Sequence, residues 1–87
     1  MTLGELISIY RPHLLDETVG VQRSWEDTFR YTLKFYPLDT LLEKFDLDVL
    51  ATKMDASGIN PQFVAGYVER WRRLLDRVHE LEASRQP

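Results

Sequence analysis

Two histidines, four tyrosines and fourteen Asp and Glu side chains are the groups from which this chain could build chemistry. An acid–base or metal site needs such groups to converge, and their spacing does not bring them together. His13 and His79 lie far apart, and neither has a second histidine or a carboxylate at ligand spacing, so both are assigned to surface or packing. Asp46 and Asp48 resemble a carboxylate pair, but positions i and i+2 on a helix point in different directions. A cap and a helix-dipole charge are expected there instead. A tyrosine attacks as a nucleophile only when it is positioned and activated by a base. Tyr10, Tyr36 and Tyr67 fall on or beside apolar stripes and are expected in the core, whereas Tyr31 lies off its stripe with no base near it in sequence. Cysteine is absent, which excludes a disulfide scaffold, a Cys-ligated zinc site and a thiol nucleophile. No glycine-rich phosphate loop, nucleophile elbow or zinc-protease helix is present. The expectation is a non-catalytic chain with no cofactor and no metal.

The cations are arranged more informatively. Arg23, Asp27, Arg30 and Lys34 recur on one side of a helical segment, opposite its apolar stripe and with a basic balance. Near the C-terminus Gln62, Gly66, Arg70, Arg73 and Arg77 form a second outward strip, edged by Glu69 and Glu80. Two such strips suit a sequence-independent grip on phosphates. They equally suit a solvated face laced with ion pairs such as Glu69–Arg73 and Asp76–Arg72 or Asp76–Arg73. Gly66 costs its helix about 1 kcal/mol relative to alanine. Close approach of another backbone, of protein or DNA, would account for it, and so would simple tolerance. The net charge of −3 argues against a generic nucleic-acid binder, so any such surface has to be a local patch.

These strips need helices to carry them. At 87 residues the chain suits one domain, with a compact core rich in aromatic side chains. Thr2 and Glu5 form a capping-box pattern that opens a first helix with Leu3, Leu6, Ile7 and Tyr10 on one face. Pro12 ends or kinks it, with Leu14 and Leu15 still packing. A second helix is expected from Val21 to Tyr36, preceded by Gly20, stopped by Pro37 and striped by Val21, Trp25, Phe29, Thr32, Leu33 and Tyr36. Leu41, Leu42 and Phe45 make residues 38–45 too apolar for a loose linker. Asp46 caps a third helix bearing Val49, Leu50 and Met54, and Ser57-Gly58 stops it. Asn60-Pro61 opens a fourth, expected to run to about Glu82 with Val64, Tyr67, Val68, Trp71, Leu74, Leu75 and Val78 inward. The domain is placed at residues 1–82, and residues 83–87 are read as a frayed tail or a truncated linker. No β-alternation or internal repeat appears, so the class is all-α. No stretch approaches the ~18 apolar residues of a membrane span, and the N-terminus lacks a basic leader, so no membrane partner and a cytoplasmic location are expected.

The run RSWEDTFRYTLKFYPLDTLLEKFDLDVLATKMDASGINPQFVAGYVERWRRLLDRV, with the opening TLGELISIY, resembles the N-terminal core-binding domain of tyrosine recombinases of the phage-integrase type. The resemblance implies a four-helix SAM-like bundle that forms half of a clamp on duplex DNA, with its second and fourth helices against the duplex. Carried over by position, it points to Arg23, Ser24, Arg30 and Lys34, and to Asn60, Gln62, Gly66, Arg70 and Arg73; the outward charge strip adds Arg77 to the expected DNA-binding residues. The resemblance further implies a C-terminal catalytic domain holding the tyrosine nucleophile, other integrase protomers on the DNA and residence on the nucleoid; the acidic net charge makes weak, salt-dependent binding the expectation for this domain alone. A helical docking module, meeting an acidic protein through the same arginines or the Phe63 edge, is the reading from a different class.

Overall fold

The computed structural model describes residues 1–85, and side chains through residue 83. Helix α1 (Leu3–Tyr10) begins as its sequence requires: Thr2 Oγ1 accepts from Glu5 N at 3.2 Å, and Glu5 Oε1 accepts from Thr2 N at 3.3 Å. Pro12 then sits in a 3₁₀ turn, Arg11–Leu14. Leu14 is buried, but Leu15 is 75% exposed, contrary to the expectation that both pack. A 3₁₀ turn advances about 120° per residue, so neighbours cannot share a face.

Helix α2 (Val19–Thr32) starts and ends earlier than expected. Thr18 supplies the cap, accepting from Val21 N at 3.3 Å, which leaves Gly20 inside the first turn and Val21 exposed. At the other end Pro37 disfavours helical backbone at Tyr36, and the Thr32 carbonyl closes a turn by accepting from both Phe35 N and Tyr36 N at 3.0 Å. The connector that follows is ordered: Leu38 and Leu41 are exposed, but Leu42 packs half-buried against the core. Its backbone is tied to the start of α1: Leu3 N donates to Thr40 O and Gly4 N to Leu38 O, both at 2.8 Å, while Leu42 N donates to Met1 O at 3.0 Å. The connector thus takes up amides that the first turn of a helix leaves unpaired. A second 3₁₀ turn (Leu42–Lys44) and the buried Phe45 complete it.

Asp46 Oδ1 caps α3 (Leu47–Ala56) by accepting from Asp48 N and Val49 N at 2.9 and 3.1 Å. Leu50 and Met54 are buried, whereas Val49 is exposed and outside the core. The helix stops in a Schellman motif: Gly58 has φ 81°, Gly58 N donates to Asp55 O, and Ile59 N donates to Met54 O. Asn60 Oδ1 accepts from Gln62 N at 2.9 Å and Pro61 occupies the first turn of α4 (Pro61–Asp76). The expected single helix to Glu82 is two. At Arg77 the backbone leaves the helical region (φ −99°, ψ 2°), its N–H donates to Leu74 O, and α5 (Val78–Arg85) turns back against α1. This change of direction buries Leu81, which a straight helix would carry away from the core.

Among the described residues there are five α-helices and no strand, making one all-α domain with one helix more than expected. The core is threaded by rings in contact: Tyr10–Trp25 (4.8 Å), Trp25–Phe29 (5.8 Å), Phe29–Trp71 (5.6 Å), Trp71–Phe45 (4.9 Å) and Phe45–Tyr36 (5.1 Å). Trp71, at the middle of that series, is fully buried. On α4 the burial maximum runs through Val64, Tyr67, Trp71 and Leu74, with Val68 and Leu75 only half-buried at its side, as is Val78 at the start of α5. No described helix is long and apolar enough to cross a membrane. Residues 83–85, expected in a frayed tail, continue α5, and residues 86–87 of that expected tail lie outside the described residues.

Candidate nucleic-acid interface

Helices α2 and α4 are held together by a row of hydroxyls spaced four residues apart. Ser24 Oγ donates to Gly20 O (3.0 Å), Thr28 Oγ1 to Ser24 O (2.8 Å) and Thr32 Oγ1 to Thr28 O (2.7 Å). A hydroxyl that has spent its proton on its own helix still has lone pairs to offer. Trp71 Nε1 donates to Thr32 Oγ1 at 2.7 Å, and Arg70 Nη1 donates to Thr28 Oγ1 at 3.4 Å. Thr28 and Thr32 are fully buried, and among the described residues no buried polar side-chain atom lacks a partner. The third rung, Ser24, has no α4 donor and faces the open end of the helix pair.

There the two helices diverge into a groove of about 470 Å³. Helix α2 contributes Ser24, Asp27, Arg30 and Tyr31; the start of α4 and the residues before it contribute Asn60, Gln62 and Phe63, with Gly66, Tyr67 and Arg70 farther along. Tyr31 and Tyr67 stack with ring centres 5.4 Å apart and planes at 20°. Lys34 Nζ lies 4.6 Å and Arg30 Cζ 5.1 Å from the Tyr31 ring centre, close enough for cation–π attraction. Arg30 also pairs with Asp27 at 2.9 Å. Burial raises the Tyr67 phenol above its ordinary pKa of 10.0, Tyr31 and Asp27 push it the same way, and Arg70 and Arg30 oppose the rise.

Gly66 has a specific neighbour. A Cβ at this position would lie 3.3 Å from Arg70 Nη1, so the glycine makes room for the guanidinium that reaches back along α4 to Thr28. The close approach considered from sequence involves a side chain of the same helix, and no backbone.

The structure therefore sorts the expected site residues. Ser24, Arg30, Asn60, Gln62, Gly66 and Arg70 line one groove, and Lys34 stands beside it on the Tyr31 ring. Arg23 is exposed on α2 and makes no ion pair among the described residues. Arg73 pairs with Glu69 at 3.2 Å. Arg77 lies at the helix break, 3.8 Å from Glu80 and 5.9 Å from the Tyr10 ring centre. The second strip is thus not one outward face: Gly66 and Arg70 turn half-buried toward α2, and the break redirects Arg77. Asp76 forms no ion pair with Arg72 or Arg73 among the described residues, whereas the expected Glu69–Arg73 pair is present. Tyr31, expected off the core, is half-buried by its stack on Tyr67.

Sequence reasoning missed Thr28, whose burial and bond to Arg70 fix the groove floor. The signal was the small and hydroxylic series Gly20, Ser24, Thr28 and Thr32, a period-four stripe beside the aromatic one. Elsewhere, a mainly apolar cleft borders α1 and the connector, and a shallow depression between α3 and α4 carries Asp48, Asp55 and Glu69. Among the described residues no cluster of His, Asp or Glu is arranged to hold a metal ion. Comparison with models of known protein families, with curated proteins and with solved structures found no match.

Proposed function

We propose that α2 and α4 grip the sugar–phosphate backbone of duplex DNA, as the domain of a tyrosine recombinase that holds DNA for a catalytic domain on another part of the protein. The observation that carries this reading is the convergence of Arg30, Lys34 and Arg70 on one groove whose polar rim is Ser24, Asn60 and Gln62. Two helix faces that the charge pattern and the family resemblance each single out form the sides of that groove. Arg and Lys supply sequence-independent attraction to phosphates, and amides and hydroxyls add hydrogen bonds that fix orientation. In this reading the chain cleaves no DNA itself, meets further recombinase protomers on the same duplex, and resides in the cytoplasm on the nucleoid.

The test is a low-salt titration with duplex DNA followed by amide shifts. Shifts concentrated on residues 23–34 and 60–73 are expected, and unmoved amides there would end the reading. Contact with about four phosphates gives log affinity a slope of about −3.6 against log salt, with unrelated duplexes bound alike. Arg30→Gln combined with Lys34→Gln is expected to weaken binding at least about tenfold in a chain that still melts cooperatively, the melting curve reading separately what is lost with the Asp27 pair and the Tyr31 contacts. Phe63, 60% exposed at the groove mouth, supports a second reading, a docking site for an acidic protein segment anchored by an apolar side chain. That reading expects peptide binding with no response to DNA.

A further inference from the structure

Backbone contacts explain the cations of the groove but not its aromatic wall. A surface that only tracks phosphates has no use for an exposed phenylalanine, because a ring gains nothing from a phosphate and loses by contact with water. Phe63 nevertheless stands 60% exposed on the groove lining, one helical turn before Tyr67. Tyr31 is already engaged by Tyr67 and by the cations Arg30 and Lys34, whereas the exposed Phe63 offers its ring to a ligand. The polar groups around it are oriented by the fold. Asn60 Oδ1 is committed to the helix cap, leaving its amide N–H₂ as a donor, and Ser24 Oγ has committed its proton to Gly20 O, leaving an acceptor. Arg70 is laid over Gly66 by its bond to Thr28, and Arg30 is tethered to Asp27, so the cations are positioned in advance.

A planar face flanked by a fixed donor, a fixed acceptor and pre-positioned guanidinium groups matches a nucleotide: base on ring, phosphate on arginine. Resting on the nucleic-acid reading of the same groove, we infer that the groove accepts one unpaired nucleotide, lifted from the duplex or at a duplex end, with its base stacked on Phe63 and its phosphate held by Arg30 and Arg70. The α2 and α4 cations outside the groove contact the continuing duplex. A base already unpaired is the preferred ligand, because no stacking or pairing has to be broken to seat it.

The experiment compares a fully paired duplex with the same duplex carrying one unpaired adenosine, at a single low salt concentration. It uses the wild-type chain, Phe63→Ala and Phe63→Tyr, each checked for an unchanged melting curve. The wild type is expected to bind the bulged duplex about fivefold or more tightly than the paired one, within the about 5- to 150-fold range that base–aromatic stacking supplies. The Phe63 ring protons are expected to shift upfield on binding. Phe63→Ala is expected to erase the preference while binding paired duplex within about twofold of wild type, and Phe63→Tyr to restore it. Equal binding of the two duplexes, or a preference that survives Phe63→Ala, overturns the inference and leaves the backbone grip standing. Failure to bind either duplex, with or without Phe63-dependent binding of an acidic peptide, overturns both.

Discussion

The hydrogen bond from Trp71 Nε1 to Thr32 Oγ1 joins the largest buried side chain to the hydroxyl row that aligns α2 with α4. Truncating Trp71 to alanine is expected to cost about 3–5 kcal/mol, against the ~5–15 kcal/mol of a small domain, and chemical denaturation should show a marginal or unfolded chain. Thr32→Val keeps the shape of the side chain but strands the indole N–H, at about 1–3 kcal/mol. Adding Trp71→Phe removes the stranded donor, so a double-mutant cycle is expected to show strong coupling; additive losses would mean that the bond contributes nothing. Tyr67 sets a different test at the same scale. Its phenol is raised above 10.0 mainly by burial, so the unfolded chain ionises first as pH climbs. Its contribution to stability is therefore complete below 10.0 and is lost as pH rises through the folded value. Tyr67→Phe is expected to flatten that part of the alkaline decline in melting temperature, measured beside the wild type over the same pH range.

At the scale of elements, Gly66 and Arg70 show a helix giving up propensity for a side-chain position. Gly66→Ala should return up to about 1 kcal/mol of helix preference, a rise in Tm of at most about 4–8 °C for a domain of this size, less what is lost as the flexible Arg70 guanidinium gives way to the new methyl and its bond to Thr28 is disturbed. Higher thermal stability with weaker duplex binding is the expected pair of outcomes, read by melting and titration of one variant. Three helix beginnings were legible in the sequence because caps are local: Thr2 with Glu5, Asp46, and Asn60 with Pro61 all act where their chemistry predicts, whereas the Thr18 cap of α2 was masked by the apolar stripe that begins later. The stop at Gly58 was legible for the same reason, since the left-handed backbone favours glycine. The break at Arg77 was not, because neither glycine nor proline marks it, and what it achieves is the burial of Leu81 against distant residues. The groove was half legible. Charge periodicity located Arg30 and Arg70, but the rotation of α4 that turns Arg70 inward depends on Thr28 and Thr32 accepting from it and from Trp71.

For the whole molecule, the net charge of −3 is distributed unevenly. Arg30, Lys34 and Arg70 outnumber Asp27 at the α2–α4 groove, while Asp48, Asp55 and Glu69 outnumber Arg72 in the depression on the α3 side of α4. An acidic total is thus compatible with a basic groove, and the acidic side would repel DNA laid across the wrong face. The return of α5 to α1 has its own consequence, which concerns the order in which the chain is made. The first helix leaves the ribosome with Leu3, Leu6 and Ile7 needing cover, and part of that cover comes from α5 and Leu81, among the last core residues to emerge. At about 5–20 residues per second, α1 waits several seconds for its closing partner. A chain ending at Arg77 is expected to remain open, with poorly dispersed amide signals and rapid proteolysis, whereas one ending at Arg85 is expected to be closed. Ribosome-stalled chains probed by protease at successive lengths should acquire resistance in one late step, when residue 81 clears the exit tunnel, and not helix by helix.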